Sequence, residues 1–179
     1  MPTQTAPQQD RAILELAQRV PSARLVFFRS RPEALAQMLR ERLRESFRRA
    51  GADFERHVTF IPWQTPGGFS ALLRRADLYL DTLGFSGFNT AVQALESGLP
   101  IVAYEGRFLR GRLASGTLRH IGLGELVAPS PQAYVELAVA LAADPERRRA
   151  LRGRIESARA GLFGDPAPLE ALERFVKSA

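Results

Sequence analysis

The chain reads as a single α/β domain built on a parallel sheet, and three observations point there. Short apolar runs at 25–28, 58–61, 78–80 and 101–103 alternate with longer stretches of helical periodicity. The run at 25–28 is continuous rather than alternating, as in a strand covered on both faces. The length, 179 residues, suits one domain, and 45% hydrophobic with 25% charged residues is an ordinary globular composition.

Residues 1–9 are Pro, Thr and Gln with no core residue, and a disordered tail is expected there. Ile13, Leu16, Ala17 and Val20 share one face of a helix over about 10–20 that Pro21 ends. Leu25–Phe28 is the first strand, with Arg29 at its C-terminal end. Pro32 and Glu33 open a long helix to about 50, whose buried stripe is Leu35, Met38, Leu39, Leu43 and Phe47. His57–Ile61 is the next strand, and Pro62–Gly68 a loop after it. A short helix carrying Phe69, Leu72 and Leu73 then leads to Leu78, Tyr79 and Leu80.

The unit over 77–106 organises the rest: strand to Asp81, a loop with Gly84, Ser86 and Gly87, a helix capped by Asn89 or Thr90, then a second strand. Gly98 ends that helix, Pro100 prevents its continuation, and Ile101, Val102 and Ala103 form the strand. Further on, a helix is expected over 107–120, a strand over 125–128, and helices over 131–143 and from 144 to about 160. A turn-rich break at 162–168 precedes a final amphipathic helix with Leu169, Leu172, Phe175 and Val176.

Such a unit binds anions. The first N–H groups of a helix lack internal partners, the dipole adds partial positive charge, and glycines before it let a phosphate approach. Ser86, Asn89 and Thr90 would add side-chain hydrogen bonds. The same residues would also serve an ordinary strand–helix turn. What favours the anion site is convergence: Arg29–Arg31, Pro62–Gly68, Leu83–Asn89 and Tyr104–Arg107 all fall at the C-terminal edge of a parallel sheet, where ligands bind.

Charge and composition narrow the partner. The net charge of +6 is almost wholly arginine, Lys177 being the only lysine. The dense basic runs at 40–49 and 146–156 are mixed with Glu, as on solvated helix faces, so a nucleotide diphosphate is favoured over nucleic acid. No apolar run approaches the ~18–20 residues that span a bilayer. No cysteine is present, so there are no disulfides or thiolate metal sites. The leaderless sequence reads as bacterial, and the cytoplasm is the expected compartment.

Leu80-Asp81-Thr82, Gly87-Phe88-Asn89-Thr90 and Ala94-Leu95-Glu96-Ser97-Gly98-Leu99-Pro100-Ile101-Val102 resemble the GT-B glycosyltransferases, and more closely the O-GlcNAc transferase/SPINDLY-like group. Gly106 and Arg107, Arg112-Leu113-Ala114-Ser115, Gly122-Leu123-Gly124-Glu125-Leu126-Val127 and Leu162-Phe163-Gly164-Asp165 continue the series, which covers roughly residues 12–175. The resemblance implies a Rossmann-like parallel sheet with flanking helices, the C-terminal half of a GT-B fold. Residues 10–179 would be the donor-binding domain, with 166–179 its C-terminal helix. That half holds a nucleotide sugar, usually UDP-linked, in the cleft facing the other domain.

By the same resemblance, Gly87, Phe88, Asn89 and Thr90 would hold the donor diphosphate, Gln93 the ribose, and Trp63, Gln64 and Phe69 the base side. For Trp63 and Phe69 a plain core role stays open. Arg29 and Arg107 are accessory candidates for the diphosphate, and Glu105 for the sugar. No metal and no cofactor beyond the UDP-sugar substrate is expected, and the acceptor would be a protein. The sequence departs from the family's pattern in several places. Phe88-Asn89-Thr90 stands for His-Thr-Thr, Gln93 for an acidic residue, and Pro66 and Leu72 for basic ones. The family's domain also has an additional first strand bearing a basic residue, which residues 1–9 do not supply. The chain is therefore expected to be an excised fragment or a half-enzyme that is inactive without its N-terminal partner domain. The alternative is a non-catalytic α/β interaction module with a degenerate nucleotide site. An unpaired sheet edge leaves homodimerisation open.

No general base stands out. His57 lies at the wrong end of its strand, His120 suits a helix C-terminus, and Asp81 suits a loop-fixing role.

Overall fold

A computed structural model describes residues 7–29 and 32–178. Helix α1 (Pro7–Arg19) precedes strand β1 (Leu25–Phe28), helix α2 (Glu33–Arg49), a four-residue helix α3 (Phe54–His57) and strand β2 (Val58–Ile61). Then come α4 (Pro66–Arg75), β3 (Tyr79–Leu80), α5 (Asn89–Glu96) and β4 (Ile101–Tyr104). Helix α6 (Leu113–His120), β5 (Val127–Ala128), α7 (Pro131–Ala143), α8 (Pro145–Ala158) and α9 (Ala167–Ser178) complete the chain.

Every strand pairing is parallel, as the alternation of strands and helices requires. The ladder is interrupted, however: β1–β2 and β3–β4–β5 form two sheets among the described residues, where one is expected. The core lies at β4, whose Ile101, Val102 and Ala103 are fully buried and against which α5, α6 and α7 pack. Strand β1 does not match the expectation of cover on both faces, because Val26 is 43% exposed.

Helix α1 braces the two sheets. Arg19 makes two 2.7 Å contacts to Glu136 of α7, Arg42 Nε of α2 donates to Asp10 at 2.5 Å, and Gln9 Oε1 accepts from Leu83 N–H at 2.8 Å just beyond β3. This corrects the expected tail over 1–9. The helix already starts at Pro7, and Gln9 is buried because it supplies the acceptor that the Leu83 amide lacks. Residues 1–6 lie outside the described residues, as do Ser30 and Arg31.

Other boundaries shift for local reasons. Asp53 caps the unforeseen α3 by accepting from Arg56 N–H at 3.1 Å. The single helix expected over 107–120 is a 3-10 turn, Leu109–Gly111, followed by α6. Gly106 N–H donates to Gly111 O at 2.8 Å, and that short-range closure leaves no room for a continuous helix. The strand expected over 125–128 is likewise a 3-10 turn, Gly124–Leu126, and a two-residue β5. Helix α5 ends as its sequence demands. Gly98 takes φ +69°, its N–H reaches Leu95 O and that of Leu99 reaches Ala94 O, both at 2.9 Å. In α9, Leu169, Leu172, Phe175 and Val176 are 58–69% exposed. Among the described residues no helix is long and apolar enough to cross a membrane.

Candidate functional site

The loop between β3 and α5 is held by one buried carboxylate. Asp81 is 1% exposed and accepts from Ser86 Oγ–H at 2.6 Å and from Gly87 N–H at 2.9 Å. Burial pushes its pKa up to about 6, against the lowering effect of the hydrogen bonds from Ser86, Gly87 and the Thr82 backbone. Ser86 is consumed entirely. Its N–H donates to Arg110 O at 2.7 Å and its hydroxyl also accepts from Ala114 N–H at 2.8 Å. Ser86 is therefore a buried lock rather than the phosphate ligand expected from the sequence. Tyr134, on α7, donates its O–H to Asp81 O at 3.0 Å from below.

The lock presents the start of α5 to solvent. No side chain caps this helix; the residue before it, Phe88, has φ −102° and ψ −71°, so the capping expected of Asn89 or Thr90 is not made. Asn89, Thr90 and Ala91 thus carry backbone N–H groups with no intrahelical acceptor. Gly87 contributes space instead of its amide, which Asp81 already holds. A Cβ there would collide with Thr90 Oγ1 and come within 2.7 Å of the Tyr79 hydroxyl. Tyr79 and Thr90 share a 2.8 Å hydroxyl contact. Burial pushes the Tyr79 phenol up to about 12, so it remains a donor at neutral pH. When it donates to Thr90, the Thr90 hydroxyl hydrogen is free to face an anion above the helix. Phe88 is 54% exposed beside it.

The base-side residues form a looser group. Phe69 packs edge-on against Phe28 with ring centroids 5.5 Å apart, and Trp63 approaches the same ring at 6.3 Å. Trp63 is 64% exposed and Phe69 half-buried, so the core role left open for Trp63 does not hold. Gln64 folds back, its Nε2 donating to Pro62 O at 2.7 Å. Thr65 caps α4 by accepting from Gly68 N–H at 3.2 Å. Phe69 and Gln93 line one groove of about 460 Å³ between α4 and α5, with Leu73, Arg74, Glu96 and Glu156 also on its walls. The groove therefore brings Phe69 and Gln93 together, whereas Trp63 and Gln64 are not on its walls, and it reaches α5 at Gln93 and Glu96, in the second half of that helix.

The accessory candidates separate. Arg29 is exposed after β1, its N–H bonded to Ile61 O at 2.8 Å. Arg107 is exposed on the loop after β4. Glu105 pairs with Arg119 and, at 3.6 Å, with Arg112. His57 bonds Ala23 O and His120 bonds Gly161 O, each at 3.0 Å, which are structural roles for both.

A family model for glycosyl transferase family 41 matches residues 12–164. The chain belongs to that family. The domain is 40% identical over 81 residues to a rice protein described as a probable UDP-N-acetylglucosamine–peptide N-acetylglucosaminyltransferase SPINDLY, over 43% of this chain and 9% of that protein. It is 36% identical over 84 residues to the Caenorhabditis elegans UDP-N-acetylglucosamine–peptide N-acetylglucosaminyltransferase, over 47% of this chain and 7% of that protein. The structure of a mutant Thermobaculum terrenum O-GlcNAc transferase superposes with a TM-score of 0.83 at 28% identity, over 94% of this chain and 33% of that one. The family 41 domain thus spans under a tenth of those two curated relatives.

Within this family 41 domain the sequence reading missed three contributors. Tyr79 was read as strand only, yet its hydroxyl reaches Thr90 one helix start away. Phe28 ends β1 and is the ring on which Trp63 and Phe69 converge. Arg110 holds the Ser86 amide through its carbonyl. A phenol two residues before the Asp of the loop was the one available signal for Tyr79. Nothing local marked the other two, because their partners are distant in the chain.

Proposed function

We propose that this domain holds the UDP-sugar donor of an inverting protein O-glycosyltransferase of the O-GlcNAc transferase type, in the cytoplasm, with UDP at the start of α5. The observation that carries the reading is the uncapped α5 N-terminus standing on a loop already fixed by Asp81 and Ser86. Its donors are in place before any ligand arrives, so no loop ordering opposes binding. Asn89, Thr90 and the first α5 amides would take the diphosphate, Gln93 the ribose, and Phe69 with Trp63 the base. Sugar transfer would need the acceptor-side half as well, because none of the described residues at this edge is placed as a general base.

A second reading, a non-catalytic interaction module, is favoured by one set of facts. The Gly87 amide and the Glu105 carboxylate are already committed within the protein, and Phe88 lies exposed at the helix start. Calorimetric titration with UDP separates the two. The donor-domain reading expects binding that weakens about fivefold or more in Asn89→Ala and in Thr90→Ala, the loss of one hydrogen bond to a charged group each. No heat and no thermal shift at millimolar UDP would favour the interaction module.

A further inference from the structure

We propose that Arg107 and Arg110, gathered on the ring of Phe108, form a cationic clip for the donor diphosphate, opposite the α5 start. The proposal rests on the donor-domain reading and extends it to residues outside the α5 helix. Three observations support it. First, their loop is fastened to the diphosphate loop: Ser86 N–H donates to Arg110 O at 2.7 Å, and Ala114 N–H to Ser86 Oγ at 2.8 Å. Two glycines close the seam, since a Cβ at Gly111 would lie 3.1 Å from Gly106 Cα and 3.5 Å from Gly84 O. The two loops are thus joined at Ser86, whose amide holds the Arg110 carbonyl, one residue before Gly87.

Second, both guanidiniums sit over one ring. The Arg110 group is 4.8 Å and the Arg107 group 5.8 Å from the Phe108 centroid. Phe108 is 56% exposed, so it packs under the two cations rather than into the core. An aromatic face restrains guanidiniums without neutralising them or occupying their in-plane donors. Third, the charges are left uncompensated. Neither Arg107 nor Arg110 makes an ion pair among the described residues, whereas Arg112 and Arg119 of the same region share Glu105. Two fixed and unpaired guanidiniums suit a ligand that carries two phosphates, each able to accept a forked pair of hydrogen bonds.

The test is titration of the 179-residue chain with UDP and with inorganic pyrophosphate, at low and at physiological salt, for the parent, for Arg107→Gln/Arg110→Gln and for Asn89→Ala. Arg147→Gln/Arg149→Gln on α8 removes the same charge elsewhere. The clip predicts that the loop variant binds both ligands about tenfold more weakly, about threefold per arginine, as for charge-assisted contacts at an exposed site, with a shallower salt dependence. The α8 variant keeps the parent affinity. UDP binding that Asn89→Ala weakens but the loop variant does not would overturn the clip and leave the donor-domain reading standing. Equal weakening in the α8 variant would overturn it as a mere effect of net charge. Pyrophosphate binding that needs both arginines, with no gain from the uridine of UDP, would support the clip and count against the donor-domain reading. No binding of either ligand overturns both.

Discussion

The two ends of the candidate site are built differently. At the diphosphate end, Asp81, Ser86 and Gly87 form a hydrogen-bonded network in which Asp81 and Ser86 are buried, and the Tyr79–Thr90 hydroxyl pair stands beside it. At the base end, the 62–69 loop is exposed along most of its length. It is held by one cap at Thr65, one folded-back amide at Gln64 and edge contacts to Phe28. A network is worth more than its separate bonds and cannot lose a member cheaply, whereas edge contacts on a surface ring can be remade. On the donor-domain reading, the anion end is therefore tied to the stability of the fold, and the base end is not.

The largest expected effect comes from titrating the network. Asp81 titrates near 6 in the folded chain against an ordinary value of 3.8. Between those values the folded state holds a proton that the unfolded state has released. This contribution is thus complete below about pH 4, declines as the pH rises, and is gone above about pH 6. Full titration corresponds to about 3 kcal/mol. Urea unfolding of the parent and of Asp81→Asn across that window measures it: the stability difference between the two should fall as the pH rises. Asn can still accept from Gly87 and donate to Ser86, so the variant folds and loses the slope. A difference that stays constant with pH would break the contrast, because Asp81 would then be no more constrained than a surface carboxylate.

Next in size is Ser86→Ala. It removes the hydroxyl that donates to Asp81 and the acceptor of the Ala114 amide, leaving two buried groups unsatisfied. A loss of about 2 kcal/mol is expected at neutral pH, read as a lowered urea midpoint with an unchanged slope. The loss should shrink in acid, where a protonated Asp81 no longer requires as many donors.

Much of this was legible in the sequence. The strand–loop–helix–strand unit, the Gly98 terminator and the parallel pairing follow from periodicity and punctuation, because they depend on neighbours within a turn or two. The series of motifs that resembles the O-GlcNAc transferase/SPINDLY group was readable too, and family membership agrees with it. What could not be read was commitment. Whether Gly87 offers its amide, whether Ser86 faces a phosphate or a carboxylate, and whether Glu105 is free are decided by partners such as Asp81, Ala114 and Arg119. Composition does not say which donor an acceptor will choose. The early start of α1 was hidden for the same reason, since Gln9 looks like tail until the Leu83 amide is placed beside it.

The smallest effect sharpens the comparison from the other side. Trp63 is the chain's single tryptophan, so its fluorescence reports on the base-side loop alone. Since it is 64% exposed and touches Phe28 only edge-on, Trp63→Ala should change stability by no more than about 0.5 kcal/mol. In the parent, UDP should alter the tryptophan emission while inorganic pyrophosphate, which reaches only the network end, should not. In Trp63→Ala, UDP affinity should drop by about threefold and pyrophosphate affinity stay put, the loss of one exposed aromatic contact. If pyrophosphate alone moved the emission, the two ends would be mechanically coupled. The 62–69 loop would then be a part of the network rather than an independent wall, and base selectivity would be tied to the same buried serine and aspartate that hold the anion.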